Sequence, residues 1–317
     1  MITMFDERID YQGDLEPVLK SACKAFGVGN LINFKLIEKG VEDFNVGVET
    51  TTGKYVCKIF NKTRTKSDIN RLISVYEKVS CADVGFPRLC KKNDGSLLFE
   101  NNKLSMVFTN FIDGKTYFDT KSTPKGKDLV DIVRMASKIN KIKFDNLSYL
   151  DDPWGIPNIK KHYQEIGKFI TDKYALDFIC KSIKLYEAIP INKLPHAFVH
   201  GDIITSNVIK GVDGKCYIID YSAANLAPRI QELAVMTTNL ISGNGCSLED
   251  NAKTIFNTYN KFTKLTDIEQ EYYLSYCLAE TAVIYMAAFR EKLVNGLSQE
   301  VKYWLNMCYE DMKSYSK

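Results

Sequence analysis

Apolar residues recur at helical spacing from Asp14 to Phe26, with Pro17 near the start, and predict a first helix. The pattern then shortens to alternation. FNVGVETTTGKYVCKIF, Phe44 to Phe60, reads as two strands joined at a Thr52-Gly53 turn. Ile69, Leu72, Ile73 and Val75 place a second helix at 66–79, and 97–100 and 104–112 read as strands around Asn101-Asn102-Lys103. Beyond residue 126 helical spacing dominates, over 126–143, 158–188 with a break, 229–242, 249–263, 267–294 and 299–314. The one interruption expected there is FVHGDIITSNVIKGVDGKCYIIDYS, residues 198–222.

Composition changes this picture little. With 317 residues, 45% hydrophobic and 26% charged, the chain has the make-up of a globular protein of one large domain or two lobes. A net charge of +3, with both signs interleaved, leaves no electrostatic footprint for nucleic acid or a membrane surface. Nine cysteines without a C-x-x-C pair read as free thiols of a reducing compartment. Acidic residues near the start and the lack of an 18-residue apolar run add to the expectation of a cytoplasmic location.

The interrupting stretch carries the candidate chemistry. Asp213-Gly214 is a two-residue hairpin signal, and counting outward from it predicts Asn207 directly opposite Asp220. An amide oxygen and a carboxylate at one end of an apolar hairpin are hard ligands suited to Mg²⁺. Asp202 lies in the loop feeding that hairpin. Singly, each of these residues reads as a turn or cap residue. Jointly, H-G-D-x-x-x-x-N followed by I-I-D has the layout of a kinase catalytic loop and its metal-binding Asp.

His200, Gly201, Asp202, Asn207, Ile219, Asp220 and Tyr221 resemble, position by position, the core of the aminoglycoside phosphotransferase and choline kinase superfamily. The resemblance implies Asp202 as catalytic base, Asn207 and Asp220 as holders of Mg²⁺, and His200 as support for the loop. Only His162 and His196 accompany His200 in the chain, so no ordinary zinc site competes. The stretch Ala227 to Ala234 resembles the family's G-P-x-x-x-D-L-A, with Glu232 in place of Asp as a brace for the loop; a first-turn acid favoured by the helix dipole is the plainer reading. The implied fold is α+β and protein-kinase-like: a small N-terminal β-sheet lobe with helices over 1–108, a hinge at 109–114, and a larger, mostly helical C-terminal lobe over 115–317.

The same resemblance assigns the nucleotide half. Alternation places Lys58 on the strand face of Val56 and Phe60, an apolar setting for an ammonium, and the family uses such a lysine on ATP phosphates. Upstream, Lys39-Gly40-Val41-Glu42-Asp43-Phe44-Asn45 looks like the G-[IV]-E-N-x-N segment of bacterial homoserine kinases and the D-D-x-N of hydroxylysine kinases, which implies Gly40 and Asn45 at the phosphates. Asp43 departs from the former pattern. Backbone groups of Thr109 to Phe111 are implied as adenine contacts; spacing does not select between Asp68 and Glu77 as the helix acid that kinases pair with such a lysine, and Glu77 is the candidate, the alternatives being an acid from elsewhere or no pair.

Phosphoryl transfer relies on positioning and electrostatics, so the sequence specifies the reaction better than the acceptor. The implied acceptor is a small molecule with a hydroxyl, most readily a hydroxy amino acid or amino alcohol, with Trp154 and the acid Glu280, set in an apolar helix, as candidate contacts. The alternative acceptor is an aminoglycoside or other antibiotic. An alternative of another kind, a nucleotide-binding pseudokinase, would be expected to lose Asp202, Asn207 or Asp220, and all three are present.

Overall fold

A computed structural model describes residues 8–37, 43–101 and 103–315. The chain divides into two compact units, Met1–Asp113 and Gly114–Lys317.

In the first unit, α1 (Leu15–Phe26) starts where the Asp14 carboxylate accepts the Glu16 N–H at 2.9 Å. It stops at Gly27, whose φ of +62° reverses the chain in the left-handed conformation that glycine adopts without a Cβ penalty. A five-stranded antiparallel sheet follows, built from β1 (Leu31–Ile37), β2 (Phe44–Thr50), β3 (Gly53–Ile59), β4 (Phe99–Glu100) and β5 (Ser105–Asn110), in the order β1-β2-β3-β5-β4. Strand β1 was not expected from the sequence, and its half-exposed, irregular burial is that of an edge strand with no clean period of two. Thr50 pairs with Gly53, so the β2–β3 loop is Thr51-Thr52, one residue earlier than anticipated. Phe44, Val46 and Val48 alternate into the core with Cys57 and Ile59 of β3 and Phe108 of β5, and Leu19, Ala22 and Phe26 of α1 complete it. The Phe26 and Phe108 rings stack at 4.8 Å. Each such large side chain contributes about 1.5–3 kcal/mol by leaving water. Helix α2 (Lys66–Ser80) opens with a reciprocal capping box between Thr65 and Asp68, which places Asp68 in a structural role.

The second unit adds short strands to the expected helices. In chain order its elements are β6 (Gly114–Thr116), α3 (Gly126–Ile139), α4 (Ile159–Ile166), α5 (Lys173–Glu187), β7 (His196–Val199), β8 (Val208–Gly211), β9 (Cys216–Ile218), β10 (Asn225–Pro228), α6 (Ile230–Val235), α7 (Leu248–Asn260), α8 (Asp267–Asn295) and α9 (Gln299–Tyr315). Strands β6, β8 and β9 form one small sheet, and β7 pairs with β10 in another. The helix expected over 229–242 is α6 followed by a π-helical segment, Met236–Leu240. Helix α8 is the apolar centre of the unit, with Tyr276, Cys277, Ala279, Val283 and Met286 all buried. Among the described residues no helix is long and apolar enough to cross a membrane, and the nine cysteines are unpaired thiols.

Candidate active site

The hairpin register differs from the expected one. Val208 pairs with Ile218, Ile209 with Tyr217 and Lys210 with Cys216, so the count runs one residue short of the two-residue-turn prediction. The cause is a three-residue loop. Gly214 donates to the Gly211 carbonyl at 3.0 Å and has φ of +80°, a turn closed by a left-handed glycine, and Gly211 N–H then meets the Lys215 carbonyl at 2.9 Å. Asn207 therefore faces Ile219, whose N–H reaches the Asn207 carbonyl at 3.0 Å, and not Asp220. Since a slip of one residue sends side chains to the opposite face, strand pairing alone does not aim Asp220. Its own backbone does. Asp220 has φ of +64°, one of three non-glycine residues with positive φ among those described, and its Oδ1 accepts the Ser222 hydroxyl at 2.7 Å. A strained carboxylate just past a strand end is the kind of outlier found at functional sites.

The loop between β7 and β8 is held from several sides. Asp202 N–H donates to His200 Nδ1 at 3.2 Å, while His200 Nε2 lies 3.1 Å from the Ile219 carbonyl. A backbone N–H only donates and a carbonyl only accepts, so these partners select a neutral imidazole carrying its proton on Nε2. The ring is fully buried, 4.2 Å from the Tyr221 ring. Gly201 has φ of +78°, and a Cβ there would meet the Ala223 carbonyl oxygen at 3.0 Å. Its N–H donates to Glu232 Oε2 at 3.0 Å. Glu232, on α6, is fully buried; burial pushes its carboxyl up to about 7, against the opposing pull of the Gly201 and His200 N–H groups.

Asn207 Nδ2 donates to Asp202 Oδ2 at 2.6 Å and to the Asp202 carbonyl at 3.1 Å. A carboxylate only accepts, so the amide nitrogen is the end turned toward Asp202 and Asn207 Oδ1 is the end turned away. With the Asp220 carboxylate, that makes an all-oxygen donor set, which fits Mg²⁺.

In the first unit, Lys58 stands opposite Asn45 across the β2–β3 ladder. One carboxylate beside it is Asp43, 3.6 Å away, whereas Glu77 is exposed on the outer face of α2. Helix α2 turns Ile69, Leu72, Val75, Tyr76 and Val79 inward, and position 77 lies off that stripe. Asp43 also takes Arg64 Nε at 2.6 Å, Arg64 Nη2 at 3.0 Å and the Asn61 N–H at 3.0 Å. Gly40 lies outside the described residues. The segment expected to meet the adenine lies at the end of β5. Thr109 pairs with Val56 and bridges to Leu89, while the N–H groups of Asn110 and Phe111 go to the Arg88 and Lys54 carbonyls at 2.9 and 3.1 Å, within the strand expected over 104–112.

The two candidate acceptor contacts behave differently. Trp154 is half-buried, with its backbone N–H on the Asp152 carboxylate at 3.0 Å. Glu280 is enclosed, and its Oε1 accepts from Asn239 Nδ2 at 2.9 Å. Burial and the nearby Asp152 push the Glu280 carboxyl up to about 8. Sequence reading missed the partners that complete these groups: Arg64, and Asn239 of the π-helical segment. Neither carries a local signal; an arginine after a strand and an asparagine in a helix are ordinary surface choices.

A catalytic-loop motif on a strand-loop-strand support beside a buried bracing acid in one unit, and a five-stranded antiparallel sheet carrying a lysine on its central strand in the other, are the parts of a kinase-like phosphotransferase. Residues 33–254 match the sequence pattern of the Phosphotransferase enzyme family, and the chain belongs to that family. Homoserine kinase of Rhodopseudomonas palustris (strain BisB5) is 22% identical over 206 residues, which span 64% of this chain and 62% of that protein. The fold is shared with choline kinase LicA of Streptococcus pneumoniae, at 13% identity and a TM-score of 0.63 over 95% of this chain and 99% of that one. It is shared also with a spectinomycin phosphotransferase solved with ADP and spectinomycin, at 15% identity and a TM-score of 0.60 over 96% and 94% of the two chains. The fold is accordingly α+β and protein-kinase-like.

Proposed function

We propose that this protein transfers the γ-phosphoryl group of ATP to the hydroxyl of a small acceptor, with a hydroxy amino acid or amino alcohol as the acceptor class. The observation that carries the reading is the Asn207–Asp202 contact, in which the amide of a metal-ligand candidate fixes one carboxylate oxygen of the candidate base. In this reading Asp202 accepts the acceptor's hydroxyl proton and Asn207 Oδ1 and Asp220 hold Mg²⁺. When bound, Mg²⁺ neutralises phosphate charge that develops during transfer. Lys58 and Asn45 serve the phosphates, the backbone of Thr109 to Phe111 meets the adenine, and residues 109–114 connect a nucleotide-binding part to a catalytic part. His200 and Glu232 act through the loop: a neutral imidazole and a buried carboxyl hold the backbone that presents Asp202.

Homoserine is the first acceptor to test, because the relatives matched by sequence carry that activity in their names. The experiment is release of ADP from Mg-ATP by the purified chain against homoserine, hydroxylysine, ethanolamine, choline, sugars and aminoglycosides in separate pools. Turnover with a hydroxy amino acid or amino alcohol, lost in Asp202→Asn, is the expected result. Turnover confined to the aminoglycoside pool would overturn the acceptor class but keep the reaction. No turnover in any pool and no binding of Mg-ATP would overturn both.

A further inference from the structure

The second unit holds a cleft of about 260 Å³ that Asp202, Asn207 and Asp220 do not line. Ala223 and β10 form one wall, and the 149–157 loop, Tyr186 of α5 and Tyr276 of α8 form most of the rest. Its size lies below the range of about 300–1,000 Å³ that drug-sized ligands occupy. Three of the lining side chains are tyrosines and one, Asp152, is a carboxylate, whereas no Lys or Arg lines the cleft. The Tyr186 and Tyr276 rings meet edge to face, 5.6 Å apart and at 81°. Tyr149 is 64% exposed, three residues before Asp152. His196, the one base in the lining, has Nδ1 2.8 Å from the Leu194 carbonyl. The Trp154 backbone N–H takes one oxygen of Asp152, and among the described residues no Lys or Arg pairs with this acid or with Glu280, whose carboxyl the Asp152 charge reaches. The loop is fastened in place. Asn225 Nδ2 donates to the Leu150 carbonyl and Asn158 Nδ2 to the Asp152 carbonyl, both at 2.8 Å, while His162 Nε2 lies 2.6 Å from the Pro153 carbonyl.

We infer that this cleft binds a small organic ammonium group, with Asp152 as its counter-charge and the rings of Tyr149, Tyr186 and Tyr276 around it. A carboxylate held among aromatic rings is costly to keep charged, and an entering cation relieves that cost twice, by pairing with the acid and by lying against the rings. A neutral molecule of the same shape gains neither. Because the loop carrying Asp152 is already fastened, little ordering opposes binding. Neither nucleotide nor metal is needed for it. The ammonium belongs either to the phosphoryl acceptor or to a separate amine, and the chemistry recognised is the same. The bland alternative is a groove that holds only water.

The full chain, free of nucleotide, is titrated with tetramethylammonium and with tert-butanol, an uncharged molecule of similar size, and binding is followed by ligand-observed NMR. Two variants are titrated alongside: Asp152→Asn, whose amide oxygen still accepts the Trp154 N–H, and Tyr149→Leu at an exposed position. Saturable binding of tetramethylammonium is expected, with tert-butanol at least about tenfold weaker. Asp152→Asn is expected to weaken the cation about tenfold, and Tyr149→Leu about two- to fivefold, the scale of one ring at an exposed site. No saturable binding of tetramethylammonium, equal binding of tert-butanol, or unchanged affinity in Asp152→Asn would overturn the inference. Should Asp152→Asn not fold, unchanged affinity in Tyr149→Leu would overturn it equally. In the ADP-release assay, competition between tetramethylammonium and the acceptor would keep the site and make the ammonium the acceptor's own. Inhibition without competition, or turnover unaffected at saturation, would keep the site and assign it to a separate amine. Because the binding titration contains no ATP, its failure leaves the kinase reading untouched.

Discussion

Asn207 Nδ2 lies 2.6 Å from Asp202 Oδ2, so the candidate metal ligand and the candidate base are one hydrogen-bonded unit and not two independent side chains. Replacing that donor by an acceptor sets two carboxylates against each other at contact distance. Asn207→Asp is therefore expected to lower kcat by about 10²–10⁴, the range of a misplaced general base, although Asp is itself a good Mg²⁺ ligand. Activity near the natural level in Asn207→Asp, in a steady-state ADP-release assay, would show that the contact does not orient Asp202.

Glu232 couples stability to pH. Its carboxyl is raised from 4.5 to about 7 in the fold, so between those values the folded chain binds a proton that the unfolded chain does not. Stability from this group is therefore full below pH 4.5 and falls as pH rises toward 7, at up to about 1.4 kcal/mol per pH unit. Glu280, raised to about 8, and Asp311, raised to about 7, act with the same sign. The urea-unfolding free energy is expected to decline across this window, and Glu232→Gln to make the decline shallower. An equally steep decline in the variant would remove Glu232 as a contributor.

Gly201 tests how tightly the loop is built. At φ of +78° and 3.0 Å from the Ala223 oxygen, an added methyl meets backbone on one side and an unfavourable dihedral on the other. Gly201→Ala is expected to cost about 1–3 kcal/mol of stability. It is expected to reduce turnover as well, since the displaced N–H is the one that Glu232 holds. An unchanged midpoint in urea would argue that the loop relaxes freely.

Arg229 fastens β10 and α6 to the start of α8. Its Nε and Nη2 lie 2.9 and 2.6 Å from the two oxygens of Glu269, which is fully buried. Losing one partner leaves the other charge buried and uncompensated. Glu269→Ala is expected to destabilise the chain by about 3–5 kcal/mol, far more than an exposed pair would. A loss below about 1 kcal/mol in chemical unfolding would mean that water reaches Arg229.

Whatever depends on near neighbours along the chain was legible in the residue order alone. Helix α1 runs as its apolar spacing and its Asp14 and Gly27 ends dictate, and α2 and α8 each start at a capping threonine. The run from His200 to Asp220 was legible for the same reason, since the motif is nearly contiguous. Tertiary structure decided what depends on partners far apart in sequence. The hairpin register turned on one left-handed glycine, which moved Asn207 from opposite Asp220 to opposite Ile219. Lys58 found Asp43 through the β2–β3 pairing rather than Glu77 through a helix, and Glu280 was closed in by Asn239 from a π-helical segment that periodicity reads as plain helix. Periodicity tells which face of an element is buried; which side chain a buried charge meets is settled only when the faces pack.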